Sequence, residues 1–72
     1  MAYNYCKLLG RIVEKFSTQA NFAKALGISE RSLSLKLTNT VPFKQPEITR
    51  AAGLLGVPGE EIPAYFFTLE VQ

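Results

Sequence analysis

At 72 residues the chain has room for a single domain, and a chain of this size buries only about 60% of its unfolded surface. Its 47% apolar content argues against disorder, and no apolar stretch approaches the ~20 residues that span a bilayer. The single cysteine, Cys6, excludes an internal disulfide and fits a reducing cytoplasm, where we expect it to be a small buried side chain of the first helix.

The net charge of +2 is unevenly distributed along the chain. Residues 1–38 contain six basic and two acidic side chains, whereas residues 39–72 contain two basic and four acidic ones. A basic front and an acidic tail favour a polyanion or a protein as the partner. Ordinary solvated surface charge produces the same distribution, so charge alone does not choose between these interpretations.

Apolar side chains recur at helical spacing from Tyr5 to Phe16, which predicts a first helix there. Thr18 is a suitable N-cap for a second helix, because its hydroxyl can accept a bond from a free amide of the first turn. Gly27 is suited to end that helix in a left-handed conformation, and Ser29 to cap a third helix. The residues expected to face the core from the second and third helices are Phe22, Ala23, Leu26, Ile28, Leu33 and Leu37.

The second half of the chain predicts one more regular helix and a short element. Pro46 suits the first position of a helix that Gly56 ends, after a loop over 38–44. One or two helical turns are expected near 58–66, limited by Pro63, since proline disfavours helix in the residue before it. The tail alternates apolar and polar residues, the period of a strand. We expect it to have no strand in this chain to pair with, and therefore to be frayed or to contact another molecule.

These elements predict an all-α fold: a compact domain of four to five helices with a short extended C-terminal tail. The domain is expected over 1–67 and the tail over 68–72. Within the domain, residues 18–37 have the layout of a helix-turn-helix, which places a helix in a DNA major groove.

Two resemblances follow from particular segments. Gln19, Ala23, Leu26-Gly27-Ile28-Ser29 and Leu33, with Leu54-Leu55-Gly56-Val57-Pro58, resemble the phage repressor and Cro family of helix-turn-helix proteins. The segments Tyr3-Asn4-Tyr5, 32–37, 43–48 and 62–67 are most similar to the modulator-of-repression proteins of temperate phages of Gram-positive bacteria. The second resemblance implies a protein of the bacterial host's cytoplasm. It would bind the N-terminal DNA-binding domain of the phage repressor, alter its DNA binding and favour the lytic state.

The repressor resemblance implies that the exposed side of the third helix reads base edges and that Gln19 contacts phosphate. Arg31 suits guanine, whereas Glu30 repels phosphate and Leu35 offers no hydrogen bond. Lys36 stands where the family usually buries an aliphatic residue, and we expect its amine to reach solvent beside the core. About three neutralised phosphates predict a salt slope near −3, hence weak DNA affinity. The candidate DNA-contacting residues are Gln19, Ser29, Arg31, Ser32, Ser34, Lys36, Thr38 and Asn39.

The same helix also suits a protein surface, because its exposed side mixes charge with one apolar residue. Leu35 is a candidate anchor and Glu30 a candidate contact for a basic repressor face. The alternatives are a lone exposed leucine and an acid favoured by the helix dipole. The candidate partner-binding residues are Glu30, Arg31, Ser34, Leu35, Glu60, Glu61, Tyr65 and Phe67, of which the two aromatics have core packing as their alternative.

Two functions therefore stay open from the sequence. One is a regulator that binds the phage repressor. The other is a Cro-like protein that binds operator DNA directly, as a dimer on half-sites about 34 Å apart. Catalysis is not expected, because the chain has no histidine, one cysteine and no cluster with metal-ligand spacing. We expect no cofactor, no metal, no small-molecule ligand and no membrane partner.

Overall fold

The computed structural model describes residues 3–69, which form five α-helices and one short 3-10 helix. The α-helices are α1 (Cys6–Phe16), α2 (Gln19–Leu26), α3 (Glu30–Leu37), α4 (Gln45–Leu55) and α5 (Ile62–Phe66), and the 3-10 helix is Gly59–Glu61. The predicted all-α class is confirmed. No helix in this part of the chain is both long enough and apolar enough to cross a membrane.

The helix ends follow the predicted caps. The Thr18 hydroxyl accepts a hydrogen bond from the Asn21 amide at 3.1 Å, and the Ser29 hydroxyl accepts one from the Ser32 amide at the same distance. Gly27 and Gly56 end α2 and α4 with φ angles of +86° and +68°. These positions require the left-handed conformation that glycine adopts without a Cβ clash.

The core is centred on α2, which packs against α1, α3 and α4, while α5 covers α1. Each helix contributes large apolar side chains at helical spacing, so that one continuous cluster forms. The largest fully buried side chains are Phe22, Phe66, Leu8, Ile12, Leu26, Leu33 and Leu55. All of the inward-facing residues predicted for α2 and α3 are buried or packed against this core.

Two arginines hold the ends of the glycine-terminated helices. Arg50 of α4 donates from Nη1 to the Leu26 carbonyl at 3.1 Å, and Arg11 of α1 donates from Nε to the Leu55 carbonyl at 2.9 Å. The last carbonyls of a helix lack intrahelical donors and carry partial negative charge, so a guanidinium is a favourable partner. The ends of α2 and α4 are thereby tied to neighbouring helices.

Cys6 is exposed, so the prediction that it is buried is wrong. Tyr5 is the N-cap of α1 and is itself part of the core, where it precedes Leu8 and Ile12 on the same stripe. The neighbouring position 6 therefore faces away from the core, because successive helical residues are rotated by about 100°.

Pro63 lies in the first turn of α5 instead of limiting a helix before it, which corrects the predicted role. A first-turn residue has no intrahelical partner for its amide, so proline loses nothing there and its fixed φ favours the helix. Ile62 adopts helical angles of −52° and −45° even though it precedes a proline. Its half-buried side chain packs against the core.

The tail has a partner within the chain, so the prediction that it pairs with nothing is also wrong. Tyr3 and Leu69 form an isolated antiparallel bridge, and the Asn4 amide donates to the Thr68 carbonyl at 2.7 Å. The partner is the extended segment before α1, which is too short to show a period in the sequence. The predicted tail residues 70–72 lie outside the described part of the chain.

Gly27→Ala is expected to lower the free energy of unfolding by about 1–2 kcal/mol, because a left-handed residue with a Cβ is strained. The added Cβ would also lie 3.4 Å from Arg50 Nη1. Gly10→Ala in α1 is the control: its Cβ would meet nothing within 4 Å, and alanine should raise stability by about 0.5–1 kcal/mol. Urea denaturation followed by circular dichroism measures the free energy of unfolding of both variants. Equal effects of the two substitutions would contradict the left-handed conformation of Gly27.

Candidate functional site

The exposed side of α3 is the surface on which the predicted contacts converge. Glu30, Arg31, Ser34 and Thr38 are exposed, and Leu35 is half-buried at the edge of the same side. Their spacing places them within one helical face. We call these five residues the α3 face. Glu30 and Arg31 carry opposite charges, so the α3 face is neutral.

Three hydroxyls on or near this face, those of Ser29, Ser32 and Thr38, are already hydrogen-bonded within the chain. Ser29 Oγ accepts from the Ser32 amide and lies 3.0 Å from Ser32 Oγ, to which it donates. Thr38 Oγ1 donates to the Ser34 carbonyl at 2.9 Å. Serine and threonine hydroxyls at helix ends bond to backbone amides and carbonyls that lack intrahelical partners. Hydroxyls used in this way are less available to a ligand.

Lys36 is buried, with 5% of its surface exposed. The prediction that its amine reaches solvent is therefore wrong. Its Nζ lies 2.9 Å from Glu47 Oε1, donates to the Pro42 carbonyl at 3.4 Å and lies 6.0 Å from the centre of the Phe43 ring. The positive charge of Lys36 is therefore paired with Glu47 inside the protein. Its place among the candidate DNA contacts is a mistake, because a buried and paired amine cannot neutralise a phosphate.

Glu47 serves two functions at the start of α4. Its Oε1 accepts the Lys44 amide at 2.9 Å, which caps the helix, and the same atom pairs with Lys36. Burial by itself raises the pKa of this carboxyl. The Lys44 amide bond, the Lys36 bond and the positive charges of both lysines outweigh burial, and the pKa of Glu47 is lowered.

Asn39 is also used within the chain. Its Oδ1 accepts the Tyr3 amide at 2.9 Å and its Nδ2 donates to the Tyr3 carbonyl at 3.0 Å. The side-chain amide thus pairs with Tyr3 as a neighbouring strand would. Asn39 has a φ of +65°, which asparagine tolerates better than most residues. The side chain of this candidate DNA contact thus joins the loop after α3 to the N-terminal segment.

The two aromatic residues predicted to bind a partner, Tyr65 and Phe67, differ in exposure. Tyr65 is buried, with 8% exposed and Lys7 Nζ 4.8 Å above its ring, so it does not offer a free surface. Phe67 is 45% exposed and meets the Tyr3 ring edge-on at 5.9 Å. Of the aromatic pair predicted to contact a partner, Phe67 alone keeps an accessible ring.

An open groove of about 260 Å³ lies between the N-terminal segment, the loop after α3 and α5. Its walls include Tyr3, Asn39, Phe43, Phe66 and Phe67, and we call it the aromatic groove. The sequence showed the aromatic residues but not their convergence, because they come from three separate segments of the chain.

The remaining candidates lie elsewhere. Gln19 is half-buried at the first position of α2. Glu60 and Glu61 are exposed on the 3-10 helix next to α5, which packs against α1, whereas α3 packs against α2. Glu60 and Glu61, which we call the second acidic surface, are therefore carried by different elements from the α3 face. Within residues 3–69, no three histidine, cysteine, aspartate or glutamate side chains are grouped as a metal site.

Residues 1–69 match the family described as "Protein of unknown function (DUF739)". The chain belongs to this family. It is also similar to a solved structure, the solution structure of the modulator of repression (MOR) of the temperate bacteriophage TP901-1 from Lactococcus lactis. The sequences are 49% identical, the match covers 100% of this chain and 97% of that one, and the TM-score is 0.83. No curated protein matches the chain.

Stability should fall in acid because of Glu47. A lowered folded-state pKa means that the stabilisation is fully present above the ordinary value of 4.5 and is lost as the pH falls through the folded value. Glu47→Gln should be less stable at neutral pH, since Lys36 loses its charged partner, and its stability should change less between about pH 6 and pH 3. Urea midpoints across this range test it. Glu14→Gln, in an exposed ion pair with Arg11, should keep the wild-type pH dependence.

Proposed function

We propose that this DUF739 protein is a modulator of repression: it binds the repressor of its own phage and alters the repressor's DNA binding to favour the lytic state. The full-length similarity to the TP901-1 modulator supports the role. The observation that carries the mode of action is the neutrality of the α3 face, since Lys36 is withdrawn into an ion pair with Glu47. The protein acts by binding and catalyses no reaction.

A neutral α3 face is poorly suited to bind DNA by itself. α3 contains two cations, and with Lys36 buried only Arg31 is exposed. Glu30 stands next to it and repels phosphate. Tight operator binding by dimeric proteins typically uses about 6–10 phosphate contacts. The affinity of the isolated chain for DNA is therefore expected to be weak.

The same face suits a protein surface. Glu30 and Arg31 offer both signs of charge, and Leu35 adds a half-buried apolar edge. The N-terminal DNA-binding domain of a repressor presents a basic surface to phosphate, and that surface would attract Glu30. A modulator bound there would occupy the place of the operator. We thus assign Glu30, Arg31, Ser34 and Leu35 to the repressor interface.

Light scattering after size-exclusion chromatography tests the partner. The protein should form a stable complex with the DNA-binding domain of its cognate repressor and should shift intergenic promoter DNA little. A complex with DNA and none with the repressor would contradict the proposal and establish a Cro-like operator-binding protein.

Glu30→Lys should weaken repressor binding about tenfold, because it places a like charge against a basic surface. Glu60→Lys makes the same charge change on the 3-10 helix and should leave the affinity unchanged. Isothermal titration calorimetry with the repressor domain measures both. A loss confined to Glu60→Lys would move the interface to the second acidic surface.

The operator-binding alternative has its own test. Arg31 is the exposed residue best suited to a guanine, so Arg31→Ala would cost about 1–3 kcal/mol of operator binding at one base position if the chain reads DNA directly. We expect no such sequence-specific loss, only weak binding with a shallow salt dependence for both proteins. Fluorescence anisotropy with labelled operator at several salt concentrations distinguishes sequence-specific binding from weak non-specific binding.

A further inference from the structure

Lys36 and Glu47 connect α3 to the beginning of α4 across the loop of residues 38–44. Lys36 Nζ binds Glu47 Oε1 at 2.9 Å and the Pro42 carbonyl at 3.4 Å, so the amine holds both α4 and the loop itself. Glu47 Oε1 accepts a hydrogen bond from the amide of Lys44, which is the last residue of the loop. The middle and the end of the loop therefore converge on one ion pair.

This loop also forms one wall of the aromatic groove. Asn39 binds both backbone groups of Tyr3, and the Phe43 ring stands edge-on to the rings of Tyr5 and Phe66, with centres 5.6 Å and 5.3 Å away. The loop thus contacts both the N-terminal segment and α5, which form the other walls of the groove.

Stability does not by itself explain a lysine at this position. The desolvation of the buried Lys36 and the half-buried Glu47 offsets much of their attraction, and apolar residues of similar volume often replace such a pair without loss of stability. What apolar residues do not supply is direction. An amine bonded to one carboxylate and one carbonyl restricts where both groups can lie, whereas a methyl group forms no directional bond.

We propose that the Lys36–Glu47 pair is a conformational lock that selects one arrangement of residues 38–44, and with it the shape of the aromatic groove. The lock acts on the loop and not on the stability of the helices. The lock does not depend on which partner the α3 face binds, so this inference is independent of the function proposed above.

The test replaces both charges at once, because removal of one would leave the other buried and unpaired. In Lys36→Met/Glu47→Gln, the glutamine keeps an acceptor for the Lys44 amide and so preserves the cap of α4. The urea midpoint should stay at or above the wild-type value. Amide exchange of Thr40 and Val41, whose hydrogens bind the Leu35 carbonyl, should become about tenfold faster relative to Ile12 in the core. The nuclear Overhauser contacts between the Phe43 and Tyr5 rings should weaken.

Lys15→Met/Glu60→Gln removes one exposed charge of each sign and serves as the matched control, which should change neither quantity. The lock is contradicted if the Lys36→Met/Glu47→Gln protein fails to fold, or if its loop and core amides accelerate together, since the pair would then be an ordinary stabiliser. Unchanged exchange at Thr40 and Val41 would contradict it as well, because the loop would then hold its place without the pair.

Discussion

Short helices leave many unpaired backbone groups for their length, and the pairing of these groups is the constraint on which this fold depends. The five α-helices of residues 3–69 are 5 to 11 residues long. Helix ends leave amides and carbonyls without intrahelical partners. Thr18, Ser29 and Glu47 supply acceptors at three beginnings, and Arg11 and Arg50 supply donors at two ends. No buried side-chain nitrogen or oxygen in the described residues lacks a partner.

This use of polar side chains explains why the α3 face differs from a DNA-reading surface. Lys36 and Asn39 stand at or near positions where a DNA contact is expected, and both are bonded inside the protein. Thr38 likewise donates to its own helix. What remains exposed on α3 is a neutral combination of Glu30, Arg31 and Ser34 beside Leu35. A surface of this kind distinguishes partners by shape and charge pattern, whereas attraction to a polyanion requires excess positive charge.

The capping predictions were correct, and two of the incorrect predictions concern interactions between segments that are distant in sequence. Thr18, Gly27, Ser29 and Gly56 act through their own backbone and nearest residues, so their effects are readable from the order of the chain. The pairing of the tail and the burial of Lys36 depend on segments distant in sequence, whereas the predictions for Cys6 and Pro63 were wrong about positions within their own helices. Leu69 pairs with Tyr3, and Lys36 with Glu47 on the next helix. No periodicity within either segment reports such a partner.

By itself, the sequence determined the helices, their caps and the inner stripe of the core, because apolar spacing and capping chemistry are local properties. It also indicated α3 as the surface to consider. Only the tertiary structure decided which α3 side chains are free. Lys36 and Glu30 are both charged residues of the same helix, and neither residue type shows which one is buried. Glu47 at the start of α4 and the Pro42 carbonyl of the preceding loop place acceptors beside Lys36, and these contacts leave the exposed face neutral.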